Sequence, residues 1–92
     1  MPLNEQQKEI LRDAILILLS KSQPVGLRTD YIHTGAKYAG FPTIEKEELV
    51  KQLRYLEAHQ MIARADKEIS KAVEIYLITE KGVAYLDEQR LI

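Results

Sequence analysis

Apolar positions recur along this chain first at helical spacing, then in alternation, then at helical spacing again. Leu11, Ala14, Ile15, Leu18 and Leu19 follow the i, i+3, i+4, i+7 rule, and Ile10 and Ile17 widen the stripe, so a helix touched on two sides is expected from Glu5 to Ser20. Asn4 can accept from its first turn and Gln7 can reach back, a capping-box arrangement. Pro24 ends the pattern, and a short strand is expected at Val25–Arg28. Thr29 reads as an N-cap for a second helix, Asp30–Ala39, with Ile32, Ala36 and Ala39 inward, Tyr31 and Tyr38 at the margins, and Gly40 just past its end. Thr43 reads as the cap of a third helix, Ile44–Gln60, with Leu49, Leu53 and Leu56 on one line and Val50 beside them.

Beyond Gln60 the period shortens. Segments Ile62–Asp66 and Ala72–Ile78 are rich in β-branched and aromatic residues and flank a charged stretch, the pattern of a β-hairpin. In its second strand Val73, Ile75 and Leu77 share one face and Glu74, Tyr76 and Ile78 the other. Thr79 then caps a last helix carrying Val83, Leu86 and Leu91. The expected order is helix, short strand, helix, helix, strand, strand, helix. The tight turn around Gly40 makes the middle pair a helix-turn-helix, and a single domain over residues 1–92 is expected.

Composition narrows the class. With 46% hydrophobic and 29% charged residues, the chain has enough apolar material to build a core. There is no cysteine, which removes disulfides and thiolate metal sites and fits a reducing, cytoplasmic location. The longest apolar run, Ala14–Leu19, is far short of the ~20 residues of a membrane span. His33 and His59 lack ligand partners at helical spacing, so no metal site is expected. Ser20, Ser22 and Ser70 sit in no nucleophile-elbow context, and Lys37 follows no phosphate-binding glycine loop. Neither an enzyme nor a cofactor is expected.

Two stretches, "LVKQLRYLEAHQMI" at Leu49–Ile62 and "YLITEKGVAYLDE" at Tyr76–Glu88, resemble winged helix-turn-helix regulators of the MarR and PadR types. The first is similar to their third helix and the entry to the wing; the second is similar to the strand leaving the wing and the Thr-x-x-Gly start of the last helix. The resemblance covers about half of the chain. It implies an α+β winged helix-turn-helix: a three-helix core, a two- or three-stranded antiparallel wing and a short C-terminal helix. It also implies duplex DNA as partner, with helix 44–60 in the major groove and wing 62–78 along the backbone. Those regulators carry long terminal helices for homodimer formation, whereas the last helix here has little more than ten residues.

Carried over residue by residue, the resemblance nominates Lys51, Arg54 and Tyr55 on the third helix, Arg64, Lys67 and Lys71 on the wing, and Arg28, Thr29 and Lys37 around the second helix. A rotation of 100° per residue, with the leucines inward, leaves Glu47, Glu48, Lys51, Arg54, Tyr55 and Ala58 outward. Charge pulls the other way. The chain has 13 basic and 14 acidic residues, a net charge of -1, and the third helix contains Glu45, Glu47, Glu48 and Glu57 against Lys46, Lys51 and Arg54. A winged-helix protein-interaction module without DNA binding therefore stands as the alternative.

Overall fold

The computed structural model describes residues 3–65 and 74–92. Seven elements run in the order α1 (Glu5–Ser22), β1 (Leu27–Arg28), α2 (Thr29–Tyr38), α3 (Lys46–Ala58), β2 (Ile62–Arg64), β3 (Ile75–Ile78) and α4 (Glu80–Glu88). The order is the expected one. Asp66, Ala72 and Val73 of the expected hairpin lie outside the described residues.

The capping box at the start of α1 is formed: Asn4 Oδ1 accepts from Gln7 N–H at 2.8 Å, and Asn4 N–H donates to Gln7 Oε1 at 3.0 Å. The helix runs to Ser22, two residues past the expected end, because the restriction Pro24 imposes begins only at Gln23. Leu11, Ile15, Leu16 and Leu19 are buried, since α1 packs against α2, α3, α4 and β3. Ile10 stays exposed at 52%. The first strand is Leu27–Arg28 alone. Val25, expected within it, is in the preceding turn, where its N–H donates to Ser22 O at 2.9 Å.

Two expected caps are corrected. Thr29 is the first residue of α2, whose N-cap, Arg28, makes no side-chain cap. Thr29 Oγ1 turns away to Glu74 O at 3.5 Å, and Thr29 N–H donates to the same carbonyl at 3.2 Å, so the residue ties α2 to the sheet. Thr43 likewise caps nothing. Helix α3 begins at Lys46 behind Glu45, because the carbonyl of buried Ile44 is taken by His33 Nε2–H at 2.8 Å and is held out of the helical ladder. Ala39, expected inward, is exposed just past the end of α2.

Three helices end alike. Phe41 N–H bonds Ala36 O at 3.1 Å, Met61 N–H bonds Leu56 O at 3.0 Å, and Leu91 N–H bonds Leu86 O at 2.9 Å, the six-residue closure of a Schellman motif. The left-handed residue is Gly40 in the first, with φ 114°, but Gln60 (φ 63°) and Arg90 (φ 59°) in the others.

The sheet is antiparallel with β3 in the centre, order β1-β3-β2, pairing Leu27 with Tyr76 and Ile62 with Ile78. Tyr76 and Ile78 face the core, which Leu11, Ile15, Leu16, Leu19, Ile32, Leu49, Leu53, Leu56, Ile62 and Leu86 complete. Thr79 caps α4 as expected, accepting from Gly82 N–H at 3.1 Å, and its hydroxyl donates to Gln60 O at 2.7 Å. One side chain thus joins the start of α4 to the end of α3. Gly82 has no room for a Cβ, which would strike Met61 O and come within 2.7 Å of Ile78 Cγ1. Among the described residues no helix is long and apolar enough to cross a membrane.

Candidate nucleic-acid interface

Helix α3 is anchored by Leu49, Leu53 and Leu56, each almost fully buried, so the rest of its circumference is fixed in direction. Glu47, Lys51, Arg54, Tyr55 and Ala58 are exposed and Glu48 half-buried, as expected for the outward face. That face divides into two flanks and a crest.

The flank toward the wing carries a closed ring of alternating charge. Arg54 Nη1 lies 3.7 Å from Glu57 Oε1, and Arg64 Nε donates to Glu57 Oε2 at 2.8 Å. Arg64 Nη1 donates to Glu74 Oε2 at 3.0 Å, and Arg54 Nη2 closes the circuit 3.5 Å from the same oxygen. The four residues come from α3, β2 and the entry to β3. Tyr76, wholly buried beneath, donates its hydroxyl to Glu74 Oε2 at 3.1 Å. The arginine side chains are 47–48% exposed and the carboxylates 26–31%, so the acids lie beneath the guanidinium groups. Glu57, chiefly through its hydrogen bond, pushes the Arg64 guanidinium further toward its charged form. Burial, and then the negative charge of Glu74, push the Tyr76 hydroxyl up to about 12.

The flank toward α1 is held differently. The Arg12 guanidinium stacks over the Tyr55 ring, 3.6 Å from its centroid, and its Nε donates to Gln52 Oε1 at 2.8 Å. Gln52, buried to 4% exposure, passes the contact on through Nε2 to Glu48 Oε2 at 2.9 Å. Tyr55 also meets His59, ring centroids 4.3 Å apart. Lower on the same side, Tyr85 donates to Asp13 Oδ1 at 2.8 Å. Burial first, and that carboxylate second, push the Tyr85 hydroxyl up to about 12.

Between the flanks the crest is Glu47, Lys51 and Ala58. Ion pairs among the described residues are Glu5–Lys8, Asp30–Lys46 and the ring, so Lys51, Arg28 and Lys37 stand outside them. Arg28 and Thr29 sit where β1 meets the start of β3, Arg28 paired with Ile75 and Thr29 bonded to the Glu74 backbone carbonyl. Lys37 is exposed in the last turn of α2. The Lys46 ammonium, hydrogen-bonded at 3.1 Å, holds the Asp30 carboxyl below the usual range. Lys67 and Lys71 lie outside the described residues. Six of the nominated residues, Arg28, Thr29, Lys51, Arg54, Tyr55 and Arg64, thus lie on α3 or at the base of the wing, and Lys37 lies apart from them.

Arg12, Gln52, Glu57, Glu74 and Tyr76 were not expected in the site. Each acquires its place through a partner in another element or on a turn whose orientation the packing sets, and no local motif announces it. Among the described residues there is no group of three or more His, Asp or Glu disposed to hold a metal ion.

No protein-family model matches this sequence, and no curated protein matches it. Solved structures do match in shape. A PadR-like transcriptional regulator from Bacillus cereus strain ATCC 14579 superposes with a TM-score of 0.76 at 21% identity, covering 96% of this chain and 84% of that one. The transcriptional repressor CouR, bound to a 23-mer DNA duplex, gives 0.69 at 22% identity, covering 97% of this chain. This chain spans about half of that repressor, 54%. The reduced form of the transcriptional regulator YodB from B. subtilis gives 0.62 at 23% identity, covering 99% and 90%. At these identities the likeness is one of fold, and with the helix pair α2–α3, the strand order and the short α4 it identifies the fold as a winged helix-turn-helix.

Proposed function

We propose that this chain is a transcriptional regulator that binds duplex DNA, presenting the crest of α3 to the major groove and the hairpin to the backbone. The observation that carries the reading is the correspondence with a fold that in CouR is bound to a DNA duplex, combined with an exposed crest on α3 at Glu47, Lys51 and Ala58. In this reading Lys51 reaches base edges or phosphates from the crest, Arg54 and Arg64 approach from the wing flank, and the Tyr55 hydroxyl meets a phosphate. Arg28, Thr29 and Lys37 hold the backbone beside α2, and Lys67 and Lys71 extend the wing contacts. Such a protein works in the cytoplasm, beside the chromosome. A homodimer would place two copies of α3 roughly 34 Å apart, one helical turn of duplex.

The test is binding to a mixed-sequence duplex over a salt series. Affinity is expected to fall as salt rises, with a log–log slope of about -0.9 for each phosphate neutralised. Lys51→Glu is expected to weaken binding by roughly tenfold or more and to flatten the slope by about 1 to 2, since a contact is lost and a repulsion added. Absence of binding by the unaltered protein at low salt would overturn the reading and leave the protein-interaction module in its place.

A further inference from the structure

The ring on the wing flank has a composition that a plain phosphate clamp would not have. Its two arginines stand at the junction of α3 and the wing, yet each is shared between two carboxylates of the same protein, at 2.8 to 3.7 Å. The carboxylates are the less exposed partners and one is anchored from below by Tyr76, so they are fixtures and not mobile surface acids. The ring is electrically neutral as a whole. A phosphate approaching Arg54 or Arg64 meets an attraction that the two carboxylates beneath partly cancel, and it must compete with them for the donors they already hold.

We propose that Glu57 and Glu74 set the selectivity of the DNA interface, by neutralising Arg54 and Arg64 against indiscriminate phosphate attraction. The inference rests on the DNA-binding reading and sharpens it. Non-specific binding to duplex is supplied by the backbone charge, and a regulator discriminates better when that contribution is held down. The two carboxylates engage Arg64 through Nε and Nη1, and a guanidinium carries further N–H donors that can meet neutral acceptors on base edges, for which the carboxylates cost little. The ring therefore favours sequence-dependent contacts over sequence-blind ones.

The experiment compares the unaltered protein with Glu57→Gln, Glu74→Gln and the double variant on a mixed-sequence duplex. Gln keeps an acceptor for the guanidinium groups and removes the charge, and thermal unfolding followed by circular dichroism verifies that each variant is folded. Removal of two negative charges beside the phosphates is expected to tighten mixed-sequence binding by roughly tenfold at low salt and to steepen the log–log slope by about 1 to 2. Arg64→Ala should then weaken the double variant more than it weakens the unaltered protein. Lys51→Gln, outside the ring, should weaken both equally. If the unaltered protein binds and the folded Gln variants bind no tighter, with the same slope, the selectivity role is overturned while the DNA-binding reading stands. If neither the unaltered protein nor any variant binds duplex at low salt, both are overturned together.

Discussion

The inward and outward faces of α3 are held by opposite means. Inward, Leu49, Leu53 and Leu56 meet α1 and the sheet with almost no exposure, and the free energy is that of apolar area removed from water. Outward, Arg54 and Glu57 on one flank and Glu48, Gln52 and Tyr55 on the other are tied by hydrogen bonds, ion pairs and a cation–π stack, mostly at half exposure. Exposed ion pairs of this kind contribute about 0.2–1 kcal/mol each, against about 1.5–3 for a buried leucine. The contrast separates two roles that share one helix. The inner face sets where α3 lies, and the outer face can exchange charges with little consequence for the fold, which suits a surface adapted to a partner.

The largest expected effect lies inward. Leu53→Ala removes a fully buried side chain facing the core and should lower unfolding free energy by about 2–5 kcal/mol, read as a fall in the urea midpoint at constant slope. Duplex affinity of the fraction that remains folded should not change. A loss below about 1 kcal/mol would show that the site closes around the gap, and the division between the faces would blur.

Tyr76 joins the two regimes, since its ring is in the core and its hydroxyl supports the ring of charges. Its folded pKa, about 12, lies above the ordinary value near 10, so the protonated form favours the folded state. The stabilisation is complete below about pH 10 and is lost as pH rises through about 12. Tyr76→Phe retains the packing and removes the titration, so its stability should fall less steeply over that interval, the remaining slope including the contribution of Tyr85. Chemical denaturation of both proteins at intervals from neutral pH upward checks this. Parallel alkaline limbs would mean that the Tyr76 hydroxyl is not held from ionising by its surroundings.

What the sequence disclosed follows the same division. The leucine line of α3, the Asn4–Gln7 box, Gly40 and the Thr79–Gly82 cap are all local: partner positions lie within one or two turns, so spacing reveals them. Thr29 and Thr43 were equally good caps by local rules, and both failed because a distant carbonyl or a histidine competed for the groups involved. Leu16 is buried although it lies off the expected stripe, because α1 is enclosed by four neighbours. In β3, Ile75 and Leu77 are as apolar as Tyr76 and Ile78, so alternation alone did not say which pair faces the core. The ring was out of reach altogether. Its members at 54, 57, 64 and 74 read as scattered basic and acidic residues until the chain brings them together.

The smallest expected effect is at the end of α3, beyond both faces. Gln60 adopts a left-handed conformation at φ 63°, where a side chain costs roughly 1–2 kcal/mol and glycine does not, while Gly40 fills the corresponding place after α2. The Gln60 side chain is exposed, and the residue meets Thr79 through its backbone, whose carbonyl accepts from Thr79 Oγ1, a bond that glycine preserves. Gln60→Gly should therefore raise stability by about 0.5–1 kcal/mol, the gain in the folded state being partly offset by the greater freedom of glycine in the unfolded chain. The converse change, Gly40→Ala, should lower stability by a similar amount even though open space surrounds that position. Thermal melts of the two variants beside the unaltered protein measure both signs. Since Gln60 also connects α3 to β2, unchanged duplex affinity in Gln60→Gly would show that the ring holds its own geometry; a change would show that the turn, and not the charges, positions Arg64.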